Sequence, residues 1–427
     1  MIYQISKKNK NLFGTIHLTT SKSESNRVLI IQQLCKDIFE IKNIAEAQDT
    51  ETMKTILAQL KKNNFQFGKT KEYDVGAAGT TMRFLCAFFA TQKGTHILTG
   101  SQRMKERPIK ILVDALRALG AKIDYLGEEG YPPLKIEGKE LKGGEIEVDG
   151  NVSSQYISAL LLIAPVLFGG LTIHFKGAAK SRPYINMTLK IMEYFGVYGN
   201  WHDNAISISK QDYYIEKEQA FYDIEGDWSA ASYWYAMAAL AENVDLKIIG
   251  LKKESLQGDS VVAELFSFFG VKTTFIENGI LLTKTKVEEA HFGFDFSDCP
   301  DIVQTVAVTA AALKITFFLN GLSTLKIKET DRIQALINEF KKINIIAKEA
   351  LPNTLEAREM PIEIDVTKEI RFETYEDHRM AMAFSAFALV YDKIEIEDPE
   401  VVKKSYPNFW NDLKILQFDV KETTPEK

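Results

Sequence analysis

Cysteine is scarce in this sequence, which bears on the compartment in which the protein works. The 427 residues include three cysteines, Cys35, Cys86 and Cys299, and they form no Cys-x-x-Cys pair. An odd number of widely spaced cysteines is not a disulfide framework and is typical of a reducing compartment. The first residues contain no apolar segment typical of a secretory signal. We therefore expect a cytoplasmic protein.

Long apolar runs and an excess of basic residues are also missing. The longest apolar stretch, residues 156–170, contains Ser158 and Pro165 and is too short to span a bilayer. Lys and Arg number 52 against 58 Asp and Glu, so the net charge is −6. General nucleic-acid binders usually carry a basic excess. We expect a monomer that binds small molecules and neither a membrane nor nucleic acid.

Motifs for metal or nucleophile chemistry are absent as well. The six histidines are scattered without a His-x-x-x-His pair or a Cys/His cluster, and no Gly-x-Ser-x-Gly motif occurs. His378 lies in a dense polar cluster, where a core or capping role is the default for a lone histidine. Chemistry is therefore expected from Lys, Arg, Asp and Glu side chains around an anionic substrate, without a metal.

The sequence does contain an internal repeat, in which a helix-period segment ends at Gly or Asn and an alternating strand-like segment follows. The breaks fall, at intervals of 76, 74 and 74 residues, at Gly120, Gly196, Gly270 and Asn344. Gly and Asn tolerate the left-handed conformation that ends a helix. A further interval of 74 leads to Phe418, and an earlier break lies at Asn64. Six such units predict an α/β fold with two lobes of three units and a lobe boundary near residues 222–226.

Several predicted helices begin with the wrong charge. The N-terminus of a helix prefers acidic residues, and a misplaced cation there costs about 0.3–1 kcal/mol. Cations nevertheless fall in or near predicted first turns at Lys22, Arg27, Arg83, Arg107, Arg332 and Arg379. Each side chain could extend into solvent or pair with an acid such as Glu106 or Asp377. The placement becomes favourable where an anion binds, so the recurrence predicts an anionic ligand.

Residues suited to helix starts mark several of these positions. They are Ser21 or Ser23, Gly79–Thr80, Pro108, Ser153–Ser154, Ser181 with Pro183, Thr330 and His378. The glycines Gly76 and Gly79 let the backbone approach a ligand, although the segment matches neither a Walker loop nor Gly-x-Gly-x-x-Gly. A plain tight turn explains that segment equally well.

Eight short motifs occur in a fixed order along essentially the whole chain. They are SKSESNR (21–27), GAAGTTMR (76–83), RMKERPI (103–109), DGNVSSQ (149–155), KSRPYI (180–185), KETDR (328–332), DHRMAM (377–382) and KSYP (404–407). One such motif is moderately specific, whereas eight in order are highly specific. Together they resemble the 3-phosphoshikimate 1-carboxyvinyltransferase family, also called 5-enolpyruvylshikimate-3-phosphate (EPSP) synthase.

The resemblance implies two lobes, each of three βαβαββ units, with the active site in the interlobe cleft. It places residues 1–20 and 225–427 in the C-terminal lobe and residues 21–224 in the N-terminal lobe. The implied reaction transfers the enolpyruvyl group of phosphoenolpyruvate to the 5-hydroxyl of shikimate 3-phosphate and releases phosphate. This step belongs to the shikimate pathway, which leads through chorismate to the aromatic amino acids. Neither a metal nor an organic cofactor is implied.

The family's pattern also assigns site residues at matching positions. Shikimate 3-phosphate would be held by Lys22, Ser23, Arg27, Ser153, Ser154, Gln155, Ser181, Tyr184, Asp301 and Lys328. Phosphoenolpyruvate would be surrounded by Lys22, Gly79, Arg107, Gln155, Arg332, Arg379 and Lys404. Asp301 and Glu329 would be the acid/base carboxylates, with Lys22 as a third proton-transfer candidate. Without the resemblance, Asp301 would be interpreted as a helix cap and Glu329 as a partner of a helix dipole.

The chain departs from the family's common pattern at several positions. Thr19-Thr20 replace Pro-Gly, and Thr324 and Lys326 replace Asn and Arg. The positions that commonly hold Asn, Ala and Pro in the second motif are here Ala77, Thr81 and Phe84. These changes bear on affinity and inhibitor response more than on the reaction.

Three alternative functions were compared with this one. UDP-N-acetylglucosamine 1-carboxyvinyltransferase usually carries a cysteine in its reactive loop, and the matching segment here, residues 101–109, has none. RNA 3′-terminal phosphate cyclase needs a histidine nucleophile, and a net charge of −6 does not favour it. A non-catalytic anion-binding protein would need the cations but not the paired carboxylates.

Overall fold

The computed structural model describes residues 1–62, 70–177, 179, 181–216, 220–287 and 290–423. Within them, twenty-one strands are formed: β1 (Ile2–Ser6), β2 (Leu12–His17), β3 (Glu40–Lys42), β4 (Lys71–Asp74), β5 (Gly94–Thr99), β6 (Lys122–Tyr125), β7 (Leu134–Gly138), β8 (Gly144–Asp149), β9 (Leu171–Lys176), β10 (Gly199–His202), β11 (Ala205–Ile208), β12 (Phe221–Asp223), β13 (Val244–Ile249), β14 (Val271–Ile276), β15 (Gly279–Lys284), β16 (His291–Asp295), β17 (Thr316–Asn320), β18 (Leu355–Ala357), β19 (Ile370–Phe372), β20 (Ile394–Glu397) and β21 (Asp419–Thr423).

The same residues form thirteen α-helices and six short 3-10 helices. The α-helices are α1 (Lys22–Leu34), α2 (Gln48–Lys62), α3 (Gly79–Thr91), α4 (Gln102–Lys105), α5 (Lys110–Ala118), α6 (Ser154–Ile163), α7 (Arg182–Tyr194), α8 (Trp228–Leu240), α9 (Val262–Leu265), α10 (Val303–Ala312), α11 (Arg332–Lys342), α12 (His378–Phe384) and α13 (Phe409–Ile415). The 3-10 helices are Ala164–Val166, Gly258–Val261, Pro300–Ile302, Leu325–Ile327, Ser385–Leu389 and Pro399–Lys404. No helix of these described residues combines the length and apolar character needed to span a bilayer.

The sheets repeat one pattern of strand pairing. The described strands form six sheets, with the strand orders β4-β5-β7-β6, β10-β11-β9-β8, β14-β15-β13-β2, β19-β20-β1-β21, β16-β17-β18 and β12-β3. In each four-stranded sheet, a parallel pair is extended by two antiparallel strands, as in β4 beside β5, then β7 and β6. The three-stranded and two-stranded sheets contain the parallel pair as well. In β4-β5-β7-β6 and β10-β11-β9-β8 this pattern is that of a βα unit followed by a hairpin.

The predicted ends of the repeated helices are confirmed in the described residues. The backbone is left-handed, with φ of 99°, 76°, 77° and 60°, at Gly120, Gly196, Gly270 and Asn344. Gln417, directly before Phe418, has a φ of 64°. The predicted break at Asn64 lies outside the described residues.

Two kinds of helix follow from two kinds of sequence. The segments of α6 and α10 are apolar on all sides, and nearly every residue of both helices is buried. The segments of α5 and α11 carry one apolar stripe, which is buried; in α11 the charged residues Arg332 and Glu339 are buried as well. A helix that is apolar all round belongs inside a domain, whereas an amphipathic helix covers its surface.

The chain divides into two compact units, Ser21–Ile224 and Met1–Thr20 with Glu225–Lys427. In the first unit the buried helices α1, α3 and α6 pack on one another. In the second unit α8, α10 and α12 do the same. The ends at which these six helices begin carry many of the candidate site residues.

Most predicted helix starts are confirmed, and two are wrong. Ser21 and Ser153 are the N-caps of α1 and α6, and their hydroxyls accept backbone N–H groups. Thr330 is not the cap of α11, because Asp331 takes that position and accepts two N–H groups. Pro108 does not lie inside α5, which begins at Lys110.

Candidate active site

Lys22 is the first residue of α1, and it lies beside a carboxylate. Its Nζ is 3.1 Å from Oδ2 of Asp49, and both side chains are largely buried. Asp49 belongs to the first turn of α2, where an acid suits the helix dipole. Its carbonyl oxygen accepts a hydrogen bond from the hydroxyl of Thr81 in α3. The starts of three helices are thereby connected around Lys22.

Arg27 is a buried cation whose hydrogen-bond partners are all neutral. Its guanidinium donates to the hydroxyls of Thr188 at 2.8 Å and Ser158 at 3.0 Å. It also donates to the carbonyl oxygens of Ser23 at 2.7 Å and Tyr184 at 3.3 Å. Burial lowers the pKa of Arg27 to about 10, so at neutral pH it remains a cation with no carboxylate among these partners. Ser158 and Thr188 have no signal in the sequence.

A second group of cations surrounds the start of α3. A Cβ atom on Gly79 would lie 2.8 Å from both terminal nitrogens of Arg107, so the absence of a side chain admits that guanidinium. Arg83 is buried and donates to the carbonyl oxygens of Gly79 at 3.3 Å and Pro108 at 3.1 Å. Burial and, to a smaller extent, the nearby charge of Arg107 lower the pKa of Arg83 to about 10. Positive charge therefore accumulates beside the glycine.

The remaining candidates of this unit lie at the starts of α6 and α7. Gln155 donates to the hydroxyl of Thr80 at 3.2 Å, which brings α6 to the start of α3. Ser153 caps α6, and Ser154 is its first residue. Ser181 precedes α7 with a left-handed φ of 53°.

The candidates of the other unit centre on Arg332, the first residue of α11, which is 1% exposed. Its Nε donates to Oδ2 of Asp377 at 2.7 Å. Its two terminal nitrogens donate to Oε2 of Glu329 at 2.9 Å and Oδ1 of Asp301 at 3.2 Å. Burial alone would lower the pKa of Arg332, but the three carboxylates raise it above its ordinary value.

Asp301 lies in the 3-10 helix Pro300–Ile302 and joins three cations. Its Oδ2 is 2.9 Å from Arg379, and its Oδ1 is 3.5 Å from Lys328 in addition to the contact with Arg332. Ile302 is the N-cap of α10, so Asp301 does not serve as that cap. Burial by itself would raise the pKa of the Asp301 carboxyl, but the three cations hold it well below its usual value. Asp301 is therefore an ionised acceptor.

Glu329 bridges two cations. Its Oε1 is 2.8 Å from Nζ of Lys404, and its Oε2 is held by Arg332. The side chain is 13% exposed, so a small part of the carboxylate remains accessible. A carboxylate held in this way can exchange a proton with a neighbouring ligand.

Sequence reasoning named Asp377 only as an acid that could pair with a nearby cation, and it missed the other neighbours of these residues. Asp377 accepts the N–H of Arg379 and thereby caps α12 while it also holds Arg332. Its place directly before His378 and Arg379 could have indicated this. Tyr233 accepts a hydrogen bond from Arg379 at 3.3 Å, and buried Asp259 accepts one from Ser229. These contacts join distant segments and have no local signal.

The two clusters differ in chemical capacity. The cations of the Ser21–Ile224 unit suit phosphate and carboxylate groups, which Arg binds well. The other unit adds carboxylates that can accept and return protons. In the part of the chain that the structure describes, no group of three or more His, Cys, Asp or Glu side chains is arranged to hold a metal ion.

Comparison with known proteins identifies the family of the chain. The family model of EPSP synthase (3-phosphoshikimate 1-carboxyvinyltransferase) matches residues 6–413. A 3-phosphoshikimate 1-carboxyvinyltransferase of Bacteroides fragilis strain YCH46 is 46% identical over 409 residues, which cover 96% of each chain. One from Sulfurovum sp. strain NBC37-1 is 36% identical and covers 94% of this chain and 96% of its own.

A solved structure of EPSP synthase from Acinetobacter baumannii has the same fold. Its TM-score is 0.75 at 22% identity, and the match covers 99% of this chain and 100% of the other. The predicted α/β fold class is confirmed, and so are the predicted family and its enolpyruvyl-transferase activity. The chain belongs to the EPSP synthase (3-phosphoshikimate 1-carboxyvinyltransferase) family.

Proposed function

We propose that the two clusters act together on one pair of substrates. The chain is an enolpyruvyl transferase that joins phosphoenolpyruvate to shikimate 3-phosphate in the shikimate pathway. The observation that carries the assignment of residues is the arrangement around Arg332, where Asp301, Glu329 and Asp377 all contact one buried guanidinium. Two of these carboxylates are the acid/base candidates, and they lie among cations suited to anionic substrates.

We further propose that the two compact units are the two lobes of the family's fold, each of three repeated units, with the active site in the cleft between them. The division of the candidate residues between the units supports this proposal. Shikimate 3-phosphate would then be held from both lobes and would favour a closed state. Small-angle scattering should show a smaller radius of gyration with this ligand. An unchanged radius at saturation, starting from an open form, would count against closure.

The cations of the Ser21–Ile224 unit are proposed to bind the anionic groups. Arg27, with Lys22 and Ser23, would hold shikimate 3-phosphate together with Ser153, Ser154, Gln155, Ser181 and Tyr184. Arg107 and the backbone at Gly79 would face phosphoenolpyruvate. The neutral hydrogen-bond partners of Arg27 support this role, because no carboxylate among them occupies its guanidinium.

The carboxylates are proposed to move the protons. The 5-hydroxyl of shikimate 3-phosphate attacks C2 of phosphoenolpyruvate and gives up its proton, while the methylene carbon gains a proton and becomes a methyl group. The tetrahedral adduct then loses a methyl proton and phosphate, which restores the double bond. Such acid–base steps are worth about 10²–10⁴-fold in rate.

Each carboxylate has a distinct proposed role. Asp301 would accept a hydrogen bond from the attacking hydroxyl, since its low pKa keeps it ionised. Glu329 would exchange the methyl proton, because Arg332 and Lys404, both proposed to face phosphoenolpyruvate, hold its two oxygens. Lys22 would assist the departing phosphate. Lys328 and Arg379 would complete the anion contacts.

We also propose that the enzyme works as a cytoplasmic monomer without a metal, an organic cofactor or a nucleic-acid partner. The small anionic substrates and the net charge of −6 support this proposal. Light scattering coupled to gel filtration measures the mass, and a stable mass of twice 48.3 kDa or more would contradict a monomer.

A phosphate-release assay tests the function directly. Release is expected only when phosphoenolpyruvate and shikimate 3-phosphate are both present. Release with UDP-N-acetylglucosamine instead would indicate the related sugar-nucleotide transferase. Binding of both anions without release would indicate a non-catalytic protein.

A further inference from the structure

Glu339 is a buried carboxylate to which the proposed reaction gives no role. It lies on α11, seven residues or about two helical turns after Arg332, so both side chains leave the same face of the helix. Its exposed fraction is 0%, and three donors converge on it. Oε2 accepts the backbone N–H of Glu373 at 3.0 Å and lies 2.8 Å from Nζ of Lys342, while Oε1 accepts the hydroxyl of Tyr375 at 2.6 Å.

The segment that Glu339 holds has an unfavourable backbone. Tyr375 and Glu376 are consecutive residues with φ of 53° and 55°, a left-handed conformation that residues with a Cβ avoid. Such a conformation persists where its surroundings impose it, often beside a functional site. Asp377 follows directly, its N–H bound to the carbonyl of Thr374 at 2.9 Å.

We propose that Glu339 is a positioning residue whose carboxylate holds the left-handed turn at Tyr375–Glu376 and thereby sets Asp377 and Arg379 in the site. The inference rests on the proposed function, in which Arg379 faces phosphoenolpyruvate. One helix holds the segment at two points, since Arg332 binds Asp377 and Glu339 binds the turn before it. Burial raises the pKa of Tyr375, and the carboxylate of Glu339 raises it further, so its hydroxyl remains a donor.

The substitution Glu339→Gln tests this role with little change in shape. An amide presents one acceptor and one donor group, so it cannot satisfy three donors. We expect KM for phosphoenolpyruvate to rise about tenfold, below the roughly 10²-fold cost of displacing a catalytic group by 1 Å. KM for shikimate 3-phosphate and kcat should change less. Arg379→Lys, measured alongside, establishes how strongly the substrate depends on Arg379 itself.

Glu356→Gln is the matched control. Glu356 is also a buried carboxylate of the same unit, on β18, and its charged partners are Lys348 and Arg358 rather than site residues. Glu356→Gln should lower the thermal stability about as much as Glu339→Gln does, but its KM for phosphoenolpyruvate should stay within about twofold of the value for the unsubstituted protein. Equal effects of the two substitutions on KM would overturn the inference.

A rescue separates positioning from general stabilisation. Glycine adopts a positive φ without penalty. Adding Glu376→Gly to Glu339→Gln should therefore reverse part of the increase in KM for phosphoenolpyruvate. Without recovery, the turn is not the element through which Glu339 acts, and the inference fails. If Glu339→Gln does not fold, Tyr375→Phe removes one hydroxyl contact and should raise the same KM about threefold. An unchanged KM in that variant would overturn the inference as well.

Amide hydrogen exchange measures the stability of the turn independently of catalysis. Exchange at residues 375–379 should quicken in Glu339→Gln and remain normal in Glu356→Gln. Unchanged exchange overturns the inference even if the enzyme is fully active. If exchange quickens in Glu339→Gln but the unsubstituted protein releases no phosphate, the positioning role is supported and the proposed function is rejected.

Discussion

The two compact units surround their buried arginines in opposite ways. Arg27 and Arg83 of the Ser21–Ile224 unit donate to hydroxyls, carbonyls and a thioether, and burial lowers the pKa of each to about 10. Arg332 and Arg379 of the other unit contact carboxylates, which raise their pKa above the ordinary value although burial opposes this. The buried arginines of the first unit therefore have no carboxylate among these hydrogen-bond partners, whereas those of the second unit are largely neutralised by carboxylates.

This difference indicates a division of labour. A buried cation with neutral partners is costly unless an anion joins it, so the first unit is suited to binding the phosphate and carboxylate groups of substrates. A cation held by carboxylates fixes those carboxylates in position, so the second unit is suited to proton transfer. Catalysis of this reaction requires both capacities.

The largest expected effect follows from replacing the two carboxylates with proposed catalytic roles. Glu329→Gln and Asp301→Asn should each lower kcat by about 10²–10⁴-fold while KM changes much less, the signature of lost transition-state stabilisation. Asp298→Asn, an exposed acid on the same segment, is the control and should be near normal. Steady-state kinetics decides the matter. Near-normal kcat in both site variants would leave Lys22 as the main proton carrier.

A second prediction concerns the open charge of the first unit. Arg107→Ala should raise KM for phosphoenolpyruvate about ten- to hundredfold, the range for losing a charged donor. Gly79→Ala should act through the same guanidinium, because its Cβ would lie 2.8 Å from the Arg107 nitrogens. The double variant should therefore be no worse than Arg107→Ala alone.

Arg103→Ala controls for the loss of positive charge in this segment. Arg103 is 38% exposed and pairs with Glu106 at the surface, so its loss should leave KM unchanged. Additive effects of the Gly79 and Arg107 substitutions would show that the two residues act independently.

The sequence allowed prediction of the local features but not of the ion pairs. Cations at helix starts and left-handed residues after helices depend on neighbouring residues. The first turns of α1, α11 and α12 do contain Lys22, Arg332 and Arg379, whereas Arg27 and Arg83 lie one turn further on. One ion-pair partner of Arg332 is Asp377, 45 residues away, and one hydrogen-bond partner of Arg27 is Ser158, 131 residues away. Such pairs depend on how helices pack, which periodicity does not encode. Thr330 was wrongly predicted as a cap because the adjacent aspartate is the stronger acceptor.

A third prediction concerns the pH dependence of stability. Burial and, to a smaller extent, the negative charge of Asp301 raise the pKa of Asp259 to about 7. The folded state then holds a proton that the unfolded chain releases near pH 4, so this group favours folding less as pH rises from about 4 to 7. Asp259→Asn should reduce this loss of folding stability with rising pH, and it should stabilise the protein above pH 7 by about 1–2 kcal/mol. Thermal unfolding at pH 5 and pH 8 measures it, and an identical pH slope in the variant would contradict the assignment.

The smallest expected effect separates two adjacent lysines. Lys404 is 10% exposed and lies 2.8 Å from Glu329, whereas Lys403 is 58% exposed and pairs with Glu400 at the surface. Lys404→Met should raise KM for phosphoenolpyruvate about threefold to tenfold, because one charged contact is lost and Glu329 keeps Arg332 as its remaining partner. Lys403→Met should leave KM unchanged and alter stability by less than about 1 kcal/mol, as expected for an exposed ion pair. Since both substitutions remove one positive charge at adjacent residues, the net charge of the protein changes equally in the two variants. Equal KM values in the two variants would mean that the pairing of Lys404 with Glu329 does not affect the binding of phosphoenolpyruvate. The second unit would then contribute carboxylates to the site but no substrate-binding cation at this position.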